Sequence, residues 1–377
     1  MAKLSSKNLS LFAFFDYIYN MNRFYLLGLV AVFMLAGCEK DFQVTAPYKD
    51  VTLVYGVIDP LDTAHYIRIQ KAFLDENKSA IEMSKIPDSN YFDSLSVKLQ
   101  EYNNTTLKSE TALMKVDMNL EGYRKDPPAN SQGFFTSPNY GYKFKKVLDP
   151  FLKYRVIINN PNTGKNDTSE FFRVINTDSS RGQNKFYITA FANIKYEIDF
   201  AKTALPGHMY SLIGTKPLNG SKFEAKLRFH YVDKNVMDGT ETPKSADMYI
   251  DAKANTNPEN TSYTIETHNK SFYSFLRDEI GLPGANIARY MGKVDVWVYA
   301  GSQELANYEA ITNAQSNGLT GDQIKPHYTT MKSRDALGII GSRSFRLYEN
   351  ATLSDNTIDS LIINELTAPL NIKGRAQ

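Results

Sequence analysis

Apolar and polar residues alternate along most of this chain. Every second residue is apolar in Leu95–Gln100, and the same pattern recurs in Phe223–Tyr231 and Val294–Tyr299. A period of two is typical of β-strands that bury one face and expose the other. The sequence therefore predicts a mostly β fold.

The strand-like segments form two groups, separated by the polar stretch Thr177–Gln183. We predict an immunoglobulin-like antiparallel β-sandwich over residues 48–177, followed by a larger β-rich domain over residues 184–368. In the first group, a turn at Leu148–Pro150 precedes Tyr154. This arrangement is similar to the tyrosine corner of immunoglobulin-like sandwiches, and an ordinary core tyrosine is the alternative.

Short helical insertions are predicted to interrupt the second domain. Near residues 270–281, apolar residues fall on one helical face before Gly281 and Pro283, which end a helix. Near residues 303–314, Leu305, Tyr308 and Ile311 mark a second helix, with Ser302 available as its N-cap and Glu304 in its first turn.

The N-terminal residues 1–37 have the form of a secretory signal. Arg23 supplies positive charge, Phe24–Met34 is mainly apolar, and Leu35-Ala36-Gly37-Cys38 resembles the lipobox of bacterial lipoproteins. The apolar run is about half of the ~20 residues that a membrane-spanning helix needs, which favours a cleaved signal. Met21 is a better start for such a signal than Met1, and both remain open.

The lipobox resemblance implies a diacylglycerol and an N-acyl chain on Cys38, which anchor the protein to a membrane. Residues 38–47 would then be a lipidated tether. Glu39 stands where aspartate would retain a lipoprotein in the inner membrane, so the outer membrane is the expected location. Lys40-Asp41 loosely resembles a surface-export tag, with a solvated tether as the alternative.

Removal of residues 1–37 takes away three of the 43 Lys and Arg residues and one of the 41 Asp and Glu residues. The remaining 40 of each leave no net charge to attract nucleic acid, so no nucleic-acid partner is predicted. Cys38 is the only cysteine. Its lipidation would exclude both an internal disulfide and cysteine catalysis.

The sequence contains no motif that predicts a catalytic, cofactor-binding or metal site. The five histidines lack metal-ligand spacing, and His230 is expected on the solvated face of a strand. Asp233–Glu241 has some of the acidic residues of a calcium loop, but a hairpin loop fits it better. The paired carboxylates of glycoside hydrolases are assembled only in space.

Trp297 and Tyr299 lie opposite the valine face of their predicted strand. An exposed aromatic pair would mark a partner or glycan surface, whereas burial against a helix is the alternative. We take these two residues as the candidate partner surface.

At Tyr66–Leu74, Pro326–Thr330 and Ala336–Ser342, the chain resembles an uncharacterised family of Gram-negative outer-membrane lipoproteins that carry a domain of unknown function. Related genes often lie beside those of TonB-dependent transporters. The resemblance implies an accessory or ligand-capturing role, and it implies no residue role beyond that of Cys38.

The leading hypothesis is a non-enzymatic, lipid-anchored outer-membrane protein that binds a transporter or its nutrient, with a glycan or peptide as ligand. An exported hydrolase acting on glycans or peptides is the first alternative, and it requires convergent carboxylates in one cleft. A structural or adhesive envelope protein is the second, and it is expected to lack a deep pocket.

Overall fold

The computed structural model describes residues 51–72, 79–125, 135–177, 187–188, 197–201, 209–251, 257, 259–316 and 328–376. The predicted signal peptide, Cys38 and the tether lie outside these residues, as do Pro326 and His327. None of the helices in the described part of the chain combines the length and hydrophobicity that a membrane crossing requires.

Strands make up most of the regular structure, so the mostly β fold is confirmed. The strands of the N-terminal half are β1 (Thr52–Ile58), β2 (His65–Lys71), β3 (Ser96–Asn103), β4 (Thr106–Asp117), β5 (Tyr140–Phe144), β6 (Lys153–Asn159) and β7 (Asn166–Thr168). Those that follow are β8 (Tyr187–Ile188), β9 (Glu197–Ile198), β10 (Met209–Thr215), β11 (Lys222–Asn235), β12 (Glu241–Asp251), β13 (Ser262–His268), β14 (Ile287–Gly301), β15 (Ala336–Leu353) and β16 (Ile372–Arg375).

The helices of the described residues are short and lie between strands. They are α1 (Ala80–Ser84), α2 (Pro87–Asn90), α3 (Asn269–Ile280), α4 (Gln303–Ser316) and α5 (Asp355–Ile363). The helices expected near 270–281 and 303–314 are α3 and α4. Helix α3 is capped at its C-terminal end by Gly281. The φ of this residue is 67°, in the left-handed region that glycine adopts without strain.

Most strands belong to one mixed sheet, in the order β12-β11-β14-β15-β1-β2-β5-β4-β3-β6-β7. In addition, β16 pairs with β14 and β9 pairs with β15. The pairing of β1 with β15 is parallel, with Thr52 opposite Ala336 and Ile58 opposite Ser342. This pairing joins the first strand to one near the C-terminus, so a single sheet runs through both predicted domains.

The first hydrophobic core lies among β1–β6. Side chains from β1, β2, β3, β5 and β6 all contribute to this core, as the facing layers of a sandwich do. The hydroxyl of Thr52 in β1 donates to the carboxylate of Asp167 in β7 at 2.6 Å, which links the first and last strands of this part. Met331, Ala336 and Ile340, from far along the chain, complete the core.

Tyr154 is fully buried at the start of β6. Its hydroxyl accepts a hydrogen bond from the backbone N–H of Asp149 at 2.7 Å and donates to the carbonyl oxygen of the same residue at 3.2 Å. This is the geometry of a tyrosine corner, because the side chain satisfies backbone groups a few residues upstream.

The second core lies on the inner face of β11, β12, β14 and β15. The valines predicted to face inwards, Val294, Val296 and Val298, are completely buried there. Phe272 of α3 packs on this face and stacks on Phe200 at a centroid distance of 4.1 Å. A separate three-stranded sheet, β13-β10-β8, also contributes to this core. We call the opposite side of β11, β12, β14 and β15 the outer face.

A candidate ligand-binding cleft

Helix α4 packs closely on the outer face, and its start is fixed by contacts to β15. A Cβ atom at Gly341 would lie 3.0 Å from the Oγ atom of Ser302 and 3.2 Å from the Cγ atom of Leu305, so glycine permits this approach. The Oγ atom of Ser302, just before α4, accepts a hydrogen bond from the backbone N–H of Ser342 at 3.1 Å. These contacts place the body of α4 beside the outer face.

A cleft of about 600 Å³ separates α4 from the outer face. Its volume falls in the range of about 300–1,000 Å³ that is typical of ligand sites. The sheet side is lined by Val57, Lys222, Glu224, Tyr249, Tyr299 and Arg343. The helix side is lined by Leu305, Tyr308, Glu309 and Thr312.

The strand register fixes the order of side chains on the cleft floor. Gly301 of β14 lies opposite Lys222 on one side and Arg343 on the other. Since adjacent strands are about 4.8 Å apart, Lys222 and Arg343 stand roughly 10 Å apart along the floor. No floor side chain rises between them, and Leu305 of α4 packs over Gly301. The next row places Tyr299 opposite Glu224.

Three tyrosines line the cleft from different elements. Tyr249 of β12 is 70% exposed and Tyr308 of α4 is 41% exposed, whereas Tyr299 is half-buried. Burial and the neighbouring Tyr249 raise the pKa of Tyr299, although Arg343 opposes the shift. The Tyr299 hydroxyl is therefore a neutral hydrogen-bond donor at neutral pH.

Two carboxylates meet at one lysine between the floor and the helix. The Nζ atom of Lys222 is hydrogen-bonded to both Glu224 on the floor and Glu309 on α4. The pair with Glu309 links α4 to β11, and the pair with Glu224 lies within β11. The sequence alone did not show that these two carboxylates share one lysine.

Arg343 is the fourth charged residue of the lining, and it differs from Lys222, Glu224 and Glu309 in its partners. Its exposed side chain makes no hydrogen bond or ion pair with any residue in the described ranges. Burial raises the pKa of Asp59, and the nearby positive charge of Arg343 only partly opposes this shift. The carboxylate of Asp59 accepts instead from the Leu61 N–H and the Ser344 hydroxyl, at 3.0 and 3.4 Å.

The candidate partner surface lies partly in the cleft. Tyr299 is part of the floor, while Trp297 lies one register row further along β14 and is half-buried. The Nζ atom of Lys226 lies 4.0 Å from the centroid of the Trp297 ring, so a cation covers part of the indole.

His230 and the segment after Asp233 both have structural contacts. His230 is on the solvated side of β11, where its Nε2 atom is 2.8 Å from Asp295 Oδ2. The segment after Asp233 is the hairpin between β11 and β12, closed by a hydrogen bond from the Asn235 N–H to the Thr240 carbonyl. Among the residues described, no group of three or more potential ligands could hold a metal ion.

No family model matches this chain, and no curated protein matches its sequence. Among solved structures, the calcium binding domain CBD12 of CALX1.1 is similar over 78% of this chain and 98% of its own, with 8% identity and a TM-score of 0.16. For CBD12 from CALX1.2, the coverage is the same, with 7% identity and a TM-score of 0.15. Scores this low carry no argument about function.

Proposed function

We propose that this protein is a lipid-anchored binding protein of the outer membrane, and that it captures a ligand in the cleft between α4 and the outer face. The cleft carries the proposal, because it combines a ligand-sized volume with aromatic side chains and a few polar groups from separate elements. The lipobox at Leu35-Ala36-Gly37-Cys38 supports the anchoring and the location.

The proposed role is that of an accessory protein to an outer-membrane transporter. Its support is the resemblance to outer-membrane lipoproteins whose genes often lie beside TonB-dependent transporters. The protein would hold a nutrient, a glycan or a peptide, close to the transporter that imports it. Nothing in this role requires the protein to change the ligand chemically.

The anchoring is tested by replacing Cys38 with alanine. We expect the variant to leave the membrane fraction, because the thiol that receives the lipid is lost. The wild-type chain should remain with outer membranes and be released only by detergent. Retention of the Cys38→Ala variant in the membrane fraction would contradict lipid anchoring.

Capture in the cleft is tested with a matched pair of substitutions on α4. Thr312 lines the cleft, whereas Ala310 is exposed on the same helix and is not part of the lining. Thr312→Trp should fill the cleft and abolish binding of glycan or peptide ligands, while Ala310→Trp should bind as the wild type does. Equal binding by both variants would show that the cleft is not the ligand site.

A second function, hydrolysis of glycans, is favoured by the pair Glu224 and Glu309. Two carboxylates that flank the scissile bond are the common machinery of glycoside hydrolases. Here both carboxylates are hydrogen-bonded to Lys222, so binding is the primary proposal. Release of reducing ends by the wild type, lost in Glu309→Gln, would instead establish the hydrolase.

A further inference from the structure

The distribution of charge in the cleft points to the chemical class of its ligand. We infer that the cleft binds an acidic saccharide, with the carboxylate of a uronic acid on Arg343. This inference rests on the proposed function, since it requires the cleft to be the ligand site. It adds the identity of the ligand and the direction in which that ligand lies.

Arg343 is the group that selects an anion. The three other charged side chains of the cleft, Lys222, Glu224 and Glu309, pair with one another. Arg343 has no such partner among the described residues. A guanidinium presents two parallel N–H donors that match the two oxygens of a carboxylate, and such charge-assisted bonds are stronger than neutral ones.

The aromatic lining fits a ring with an apolar face. Tyr249, Tyr299 and Tyr308 offer flat surfaces on both the floor and the helix side. A pyranose has apolar C–H faces and polar edges, so its faces can lie on tyrosine rings while its hydroxyls bond to the tyrosine hydroxyls. A tyrosine combines these two properties, an apolar body and a polar tip, in one side chain.

The positions of the charges give the ligand a direction. Arg343 and Lys222 stand at opposite ends of a row with Gly301 between them, and Leu305 of α4 packs over that glycine, 3.6 Å from its Cβ position. Glu224 and Glu309 lie at the Lys222 end, where their oxygens can accept hydrogen bonds from sugar hydroxyls. The uronate end of the saccharide would therefore lie on Arg343 and a hydroxyl-bearing ring near the two glutamates.

The test uses two probes that differ at the carboxyl groups: trigalacturonate, and its methyl ester, in which methylation removes the charge. Binding is followed by calorimetry and by the fluorescence of Trp297, the only tryptophan in the chain. We expect the wild type to bind the acid about ten- to a hundredfold more tightly than the ester, the range for hydrogen bonds to a charged group. Arg343→Gln should remove this preference and bind the two probes equally. Arg334→Gln, at an exposed arginine outside the cleft lining, should retain it.

Three results would overturn the inference. Equal affinity of the wild type for the acid and the ester would show that Arg343 does not select a carboxylate. Binding of peptides but not saccharides, abolished by Thr312→Trp, would refute the ligand class while the proposed function stands. If Thr312→Trp changes the binding of neither saccharides nor peptides, the cleft is not the ligand site and the proposed function fails with the inference.

Discussion

Arg289 donates a hydrogen bond from its Nε atom to the Oδ1 atom of Asp233 at 2.8 Å, and both side chains are almost fully buried. Lys244 donates to the other carboxylate oxygen at 2.8 Å. Arg289 also donates from Nη1 to the carbonyl oxygen of Gly281 at 2.5 Å. The carboxylate of Asp233 thus holds two cations, one of which connects the hairpin of β11 and β12 to the end of α3.

The ion pair makes stability depend on pH in the acidic range. Burial alone would raise the pKa of Asp233, but the hydrogen bonds from Lys244 and Arg289 outweigh it, and the pKa is lowered. A lowered pKa in the folded state stabilises the protein above the unfolded value of about 3.9, and this contribution is lost as the pH falls through the folded pKa. Chemical denaturation between pH 2 and pH 6 should show this loss. Asp233→Asn should reduce the slope of the free energy of unfolding against pH.

Replacing Arg289 should lower the free energy of unfolding more than replacing a charged residue on the surface. Arg289→Met leaves Asp233 with only the more exposed Lys244 as a cationic partner. We expect the free energy of unfolding to fall by about 3 kcal/mol, because a buried carboxylate loses its buried partner. As the matched control, Lys234→Met breaks the exposed pair with Glu241 and should lower the free energy of unfolding far less. Equal losses of unfolding free energy for the two variants, measured by urea denaturation, would contradict the expected difference between the buried and the exposed pair.

The tyrosine corner should be a local source of stability for the first core. Tyr154→Phe keeps the buried ring but removes the hydroxyl that bonds to the backbone of Asp149. We expect a loss of about 1–3 kcal/mol, since a backbone N–H loses this partner. Thermal denaturation measures the effect. Tyr123→Phe, at a half-exposed tyrosine, should leave the midpoint within error of the wild type.

Gly338 should tolerate no side chain. Its φ is 129°, and a Cβ atom would lie 1.8 Å from the carbonyl oxygen of Val54 on the paired strand β1. Gly338→Ala should therefore push β1 away from β15 and cost more than about 2 kcal/mol. Gly164→Ala, where φ is also positive but nothing lies near the Cβ position, separates the backbone strain from the clash. If the two variants lose similar amounts of unfolding free energy in denaturation experiments, the clash with the Val54 carbonyl oxygen is relieved at little cost.

Gly341 controls how closely α4 approaches the outer face. Gly341→Val would place methyl groups against Ser302 and Leu305, which already lie within about 3.2 Å of a Cβ position. We expect α4 to shift, with a loss of about 1–3 kcal/mol and altered ligand binding in the cleft. Gly292→Ala crowds the backbone of His230, away from the cleft, and should lower stability without changing ligand binding.

The faces of the strands were predictable from the sequence because burial imposes a period of two. Leu227 and Val296, on the apolar sides of their patterns, are completely buried. The corner at Tyr154 was also visible, since its signal is local: a turn followed by a tyrosine. The parallel pairing of β1 and β15 was not, because Thr52 and Ala336 meet across strands although most of the chain separates them.

The cleft was only partly visible for the same reason. Tyr299 was singled out as an aromatic residue on the polar side of a strand. Glu224 and Glu309 had no signal, because a solvated glutamate on a strand or helix looks the same in sequence as one that faces a partner. Glu224 is two residues from Lys222 on β11, whereas Glu309 reaches the same lysine through the packing of α4, which the sequence does not encode locally.

The parallel pairing of β1 with β15 also sets an order of events when the chain folds. The first core includes Met331, Ala336 and Ile340, so it remains incomplete until those residues have been synthesised. Contacts between such distant residues close late, since the entropy of a long loop must be overcome first. Until then β1 presents an unpaired edge, and a chain truncated before residue 336 would be prone to aggregation.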